Sequence, residues 1–100
     1  MIRAKFKIRS DAAGFVILGH AGGVSGTDTV CAAVSSAAYM AANTVTEILG
    51  VDANAEVRDG YMHFSFRGST AAADVIRGLR LHLEQIAADY PAKVKVTTEE

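Results

Sequence analysis

The first segment of the chain alternates apolar and charged positions without a break, Ile2, Ala4, Phe6 and Ile8 against Arg3, Lys5, Lys7 and Arg9. That two-residue period predicts a β-strand with one buried and one solvated face. Asp11-Ala12-Ala13-Gly14 reads as the turn that follows, and the apolar run Phe15-Val16-Ile17-Leu18 as a second strand with Gly19 and His20 at its end. The three glycines of Ala21-Gly22-Gly23-Val24-Ser25-Gly26 mark a loop. Over about residues 28–49 the period changes. Val30, Ala33, Val34, Ala37, Ala41, Val45 and Ile48 recur every three or four residues, predicting a helix that Gly50 stops. Residues 55–58 and 61–66 flank Asp59-Gly60, a dipeptide suited to a hairpin closed by a type I′ turn. A second amphipathic helix is predicted over about residues 70–89. Ile76, Leu79, Leu83 and Ile86 share its stripe, Ser69 or Thr70 caps it, and Tyr90-Pro91 ends it. Residues 93–97 alternate again as a short last strand. The order ββαββαβ predicts an α+β fold in which one mostly antiparallel sheet is packed by two helices.

One hundred residues suit a single hydrophobic core, so residues 1–100 are expected to form one domain. An apolar half, 21% charged residues and one proline predict order nearly end to end. Ten basic and eleven acidic residues give a formal charge of −1, which argues against strong nucleic-acid binding by the molecule as a whole. Any polyanion contact has to be local. The row Arg3, Lys5, Lys7 and Arg9 is either a solvated sheet face or a basic stripe that meets RNA or an acidic partner. Charges alternate through the first residues where a signal peptide needs an apolar stretch, and no apolar run approaches the roughly 20 residues of a membrane helix. The expectation is a cytoplasmic protein without a membrane partner.

The single cysteine cannot form an internal disulfide, so Cys31 is core filler, redox-active, a metal ligand or a nucleophile. With Asp28 as N-cap, Cys31 occupies the third helical position, where unpaired N–H groups and the helix dipole favour a thiolate. A helix N-terminus contributes only about 0.3–1 kcal/mol to a nearby anion, so activation also needs a base. His20 can supply it, joined by the glycine-rich turn to the helix that carries Cys31. An imidazolium beside the sulfur holds the thiolate and then protonates the departing amine. The N–H groups of Gly22, Gly23 or Gly26, with those at the helix start, are candidates for holding the oxyanion and the substrate. Asp28 either caps the helix through the Cys31 N–H or orients His20. Ser35, one helical turn beyond Cys31, either supports the site or returns a hydrogen bond to its own helix. The competing role for Cys31 is packing, since lone cysteines in alanine-rich helices are commonly buried. The glycine-rich turn lacks the Lys-Ser/Thr and the spacing of a phosphate-binding loop. His63 and His82 have no close His or Cys partner, so neither a metal nor a cofactor is expected.

Gly19-His20-Ala21, followed by Gly26-Thr27-Asp28-Thr29-Val30-Cys31-Ala32-Ala33-Val34-Ser35, resembles the signature of the ribosomal-processing cysteine protease family, also called Prp or YsxB-like. The likeness is tight over residues 19–35 and general elsewhere. It implies a cysteine endopeptidase that removes the N-terminal extension of large-subunit ribosomal protein twenty-seven, cutting after bulky hydrophobic residues, as a homodimer without a metal. By matching positions it implies Cys31 as nucleophile, His20 as base, and Asp28 and Ser35 as auxiliary residues. The loop after His20 is one residue shorter than the family's usual form, with Gly23-Val24-Ser25 where a tyrosine is common, so the glycine-rich segment reads as a lid ordered by substrate. The alternative from another class is a non-catalytic ribosome-assembly or RNA-contacting module with Cys31 as packing.

Overall fold

The alternating segment is strand β1 (Ile2–Ile8), and it folds back through a tight turn into β2 (Ala12–Leu18). The computed structural model describes residues 1–19 and 29–99. Helix α1 (Thr29–Asn43) continues into a π-helical turn, Thr44–Ile48, and is followed by β3 (Asn54–Arg58), β4 (Tyr61–Arg67), helix α2 (Thr70–Asp89) and β5 (Val94–Glu99). The strands make one sheet in the order β3-β4-β2-β1-β5. Three of its pairings are antiparallel, and β1 with β5 is parallel.

The sheet has one face in the core, because Ile2, Ala4 and Phe6 of β1, Ala13, Phe15 and Ile17 of β2, and Met62, Phe64 and Phe66 of β4 are all buried. Phe6, Phe15 and Phe64 stand side by side across three strands, with ring centroids 5.9 and 5.6 Å apart. Both helices lie over this row. Val34, Ala38, Ala41 and Ala42 of α1 and Ala72, Ile76, Leu79 and Leu83 of α2 join the same cluster. The small residues of α1 let α2 approach it closely.

Four details differ from the sequence expectation. The turn after β1 is shorter than Asp11-Ala12-Ala13-Gly14, with Arg9 N–H donating to Ala12 O at 2.7 Å and residues 12–14 already in β2. Ala13 pairs with Ile8 and belongs to the core, which extends the strand backwards. At Asp59-Gly60 only Gly60 takes a positive φ, 69°, so the φ signs are those of a type II turn rather than type I′. The first helix widens in its last turn, where Leu49 N–H reaches the Thr44 carbonyl at 2.9 Å; Gly50 then ends it with φ 67°. The last strand runs over Val94–Glu99, carried past residue 97 by its pairing with β1. The second helix starts and stops where expected. Ser69 is its N-cap, accepting the Ala72 N–H at 3.0 Å, and Tyr90 closes it through a bond to the Ile86 carbonyl.

Candidate active site

Four segments meet at one end of the sheet: the start of β1, the end of β2, the first turns of α1 and the β3-β4 turn. The register requires this, because Arg3 lies opposite Leu18, Leu18 opposite Tyr61, and Tyr61 opposite Arg58. Gly19 continues the row by donating its N–H to the Gly60 carbonyl at 2.9 Å. With φ 89°, Gly19 holds a backbone geometry that other residues adopt only under strain, and its missing side chain leaves room for the Met1 carbonyl packed against it.

Between these segments lies a cavity of about 230 Å³, lined among others by Gly19, Cys31, Ser35, Tyr39, Gly60 and Tyr61. Cys31 is the third residue of α1, so its thiol stands in the first turn, at the positive end of the helix dipole. It is partly exposed and packs against the edge of the core, an environment that both fixes the side chain and leaves it reachable. Ser35 is exposed and lines the same cavity one turn later. In contrast, Thr44 and Thr46 bond back to the carbonyls of Met40 and Ala42 at 2.7 and 3.2 Å. The structure thus brings together Cys31, Ser35 and Gly19. His20, Gly22, Gly23, Gly26 and Asp28 lie outside the described residues.

Sequence reasoning missed the opposite wall. Tyr39 follows Ser35 along α1, while Val57, Arg58, Asp59 and Tyr61 come from the β3-β4 hairpin. The Arg58 guanidinium stacks on the Tyr61 ring at 4.1 Å from its centroid and pairs with Glu56 at 3.3 Å. Asp59-Gly60 had signalled a hairpin, and nothing in its local pattern tells that the tip is folded against the end of β2. His63 and His82 stand apart from Cys31: His63 is on the outer face of β4 and His82 on α2. Among the described residues, no group of three or more His, Cys, Asp or Glu side chains could hold a metal, and no helix is long and apolar enough to cross a membrane.

The chain is similar to a defined set of proteins. The family model described as Cysteine protease Prp matches residues 1–95. The ribosomal processing cysteine protease Prp of Bacillus subtilis (strain 168) is 32% identical over 93 residues, covering 84% of this chain and 83% of that protein. The fold matches the essential ribosomal processing protease Prp from S. aureus in complex with a covalently linked product peptide. That match has a TM-score of 0.86 and 20% identity, over 99% of this chain and all of the other. The same S. aureus protein in complex with a substrate peptide gives a TM-score of 0.83 at 19% identity, again over 99% of this chain and all of the other. A family match across nearly the whole length sets aside the reading of the chain as a non-catalytic module. This chain belongs to the Cysteine protease Prp family and is a cysteine protease of the ribosomal-processing kind.

Proposed function

We propose that the chain is a single-domain endopeptidase over residues 1–100 that removes the N-terminal extension of large-subunit ribosomal protein twenty-seven, with Cys31 as nucleophile and His20 as base. One observation carries the reading. Cys31, in the first turn of α1, and Gly19, whose next residue in sequence is His20, line the same cavity at the sheet end. His20 takes the thiol proton, and the Cys31 sulfur adds to the scissile carbonyl carbon. N–H groups at the start of α1 and of Gly22, Gly23 or Gly26 bind the oxyanion. The C–N bond breaks as the imidazolium passes its proton to the amine. Water, deprotonated by His20, then adds to the thioester, and the carboxylate product leaves with the thiol restored. Asp28 and Ser35 are auxiliary, Asp28 by capping the helix or orienting His20. That the S. aureus relative carries a covalently linked product peptide supports a covalent route.

The edge strand β3 supports an extended substrate. All five of its residues are exposed, and Val57 and Arg58 border the cavity, so a peptide paired along this edge would deliver its carbonyl toward Cys31. A cytoplasmic homodimer completes the proposal, and sedimentation velocity that finds only monomer at every concentration would remove the dimer from it. The central test uses a peptide spanning a ribosomal N-terminal extension, with the cut mapped by mass. Cys31→Ala should abolish cleavage with the fold intact. His20→Ala should slow alkylation of Cys31 by iodoacetamide near neutral pH. An alkylation rate unchanged by His20→Ala sinks the dyad.

A further inference from the structure

The outer face of the sheet concentrates positive charge to a degree that the formal total of −1 conceals. Register and alternation put Arg3, Lys5, Lys7, Arg9, Arg58, Arg67 and Lys95 on this face, seven of the ten Lys and Arg residues. Glu56 and Glu99 are the carboxylates on the strands of that face, with Asp11 and Asp59 in the turns at its rim. Arg58 is paired with Glu56 at 3.3 Å and Lys7 lies opposite Glu99, while Arg3, Lys5, Arg9, Arg67 and Lys95 have no carboxylate opposite them on the neighbouring strands. Arg3 lies directly opposite Lys95, and Arg9 and Arg67 flank Ala12. Like charges opposed across strands repel, and seven cations against two strand carboxylates leave this face with a net positive field.

Its shape narrows the class of anion. The strand centre is built from small or flat groups: Ala12, Gly14 and Val16 on β2, His63 and Ser65 on β4. Gly14 leaves a hollow of about 370 Å³ between Lys5, Lys7 and Arg9 on one side, with Glu99 beside Lys7, and His63 and Ser65 on the other. Along one row of the same face, the Tyr61 ring lies under the Arg58 guanidinium. Residues two apart on a strand project roughly 6.6 Å apart, so Lys5 and Lys7 can each meet a successive phosphate of an extended chain. The hollow, the imidazole and the Arg–Tyr stack provide surfaces for unstacked bases. Phosphate-tracking cations beside planar groups on an open sheet are the features that hold single-stranded nucleic acid. An acidic peptide would satisfy the cations and leave the planar groups unused.

We propose that the helix-free face of the sheet, centred on Lys5, Lys7, Gly14 and His63, is a binding surface for single-stranded RNA that meets the cavity holding Cys31 only at its Arg58–Tyr61 end. Lys5 and Lys7 do not line that cavity, so the two activities can be separated.

The test is fluorescence anisotropy with a fluorescein-labelled single-stranded RNA of about 15 nucleotides, titrated with the full chain at about 50 and about 200 mM salt. Binding should weaken steeply as salt rises. Lys5→Gln/Lys7→Gln should bind roughly tenfold more weakly at low salt, with a salt slope shallower by about 1.4, while cutting peptide at the parent rate. His63→Ala should lower RNA affinity at unchanged salt slope, the signature of lost stacking rather than lost charge. No binding at the lower salt, undiminished binding by the double variant, tighter binding of duplex RNA, or equal competition by polyglutamate would each overturn the proposal.

Discussion

Gly19 and Gly68 form a matched pair that tests the geometry of the site. Their φ angles are nearly the same, 89° and 87°, so an alanine at either position meets the same left-handed penalty of roughly 1–2 kcal/mol. Their surroundings differ. A Cβ at Gly68 points into open space, whereas at Gly19 it is driven into the backbone carbonyl of Met1. A carbonyl held in the chain cannot rotate aside as a side chain can, so either the start of β1 or the end of β2 must move. Gly68→Ala should therefore cost about 1–2 kcal/mol, and Gly19→Ala about 3 kcal/mol or more once the clash is added. Urea unfolding followed by circular dichroism gives both values. The displacement also falls where the chain enters His20. A misplacement of about 1 Å can cost about a hundredfold in rate, so peptide cleavage by folded Gly19→Ala should drop by that order while Gly68→Ala keeps its activity. If the two variants lose the same stability to within about 0.5 kcal/mol, and both cut normally, then Met1 does not pack where described and the reasoning fails.

Three further outcomes follow from the packing. Phe64→Ala removes a fully buried ring that packs against both Phe15 and Phe66 and should cost about 3–5 kcal/mol by chemical denaturation. Ser69→Ala loses the acceptor for the Ala72 N–H at the start of α2, lowering stability by about 1 kcal/mol, and Ser69→Asp should recover most of it. Gly78→Ala places a Cβ in open space within α2 and should raise stability by about 0.5–1 kcal/mol, seen as a higher denaturation midpoint at unchanged slope.

Much of this fold is legible in the chain because its periods are clean. Ile2 to Arg9 alternates for eight residues, and every apolar member of that row up to Phe6 is fully buried. The stripe Ile76, Leu79 and Leu83 places α2 correctly, and Ser69 marks its first turn. What escapes local reading is decided between strands. Ala12-Ala13-Gly14 looks like turn chemistry, yet it is held as strand by partners on both sides, Lys7 and Ile8 from β1, Ser65 and Phe66 from β4. For the site, the helical position of Cys31 and Ser35 could be read from spacing, because both belong to one element. The wall made by Arg58, Asp59 and Tyr61 could not, since it exists only through the register that sets β4 beside β2. The basic row shows the same limit. Four of its cations are visible in β1, and Arg58, Arg67 and Lys95 join them only when the sheet assembles.

The pairing of β5 with β1 has a consequence for how the molecule comes together. Ile2 meets Val94 and Lys7 meets Glu99, so the ladder on that side joins residues 92 positions apart. During synthesis the hairpins and α1 can form first, but this flank of β1 stays open until β5 emerges. Contacts of such long range close slowly, and an unpaired strand invites other chains in the meantime. A truncation before residue 94 should therefore self-associate, and its failure would be one of solubility before it was one of catalysis.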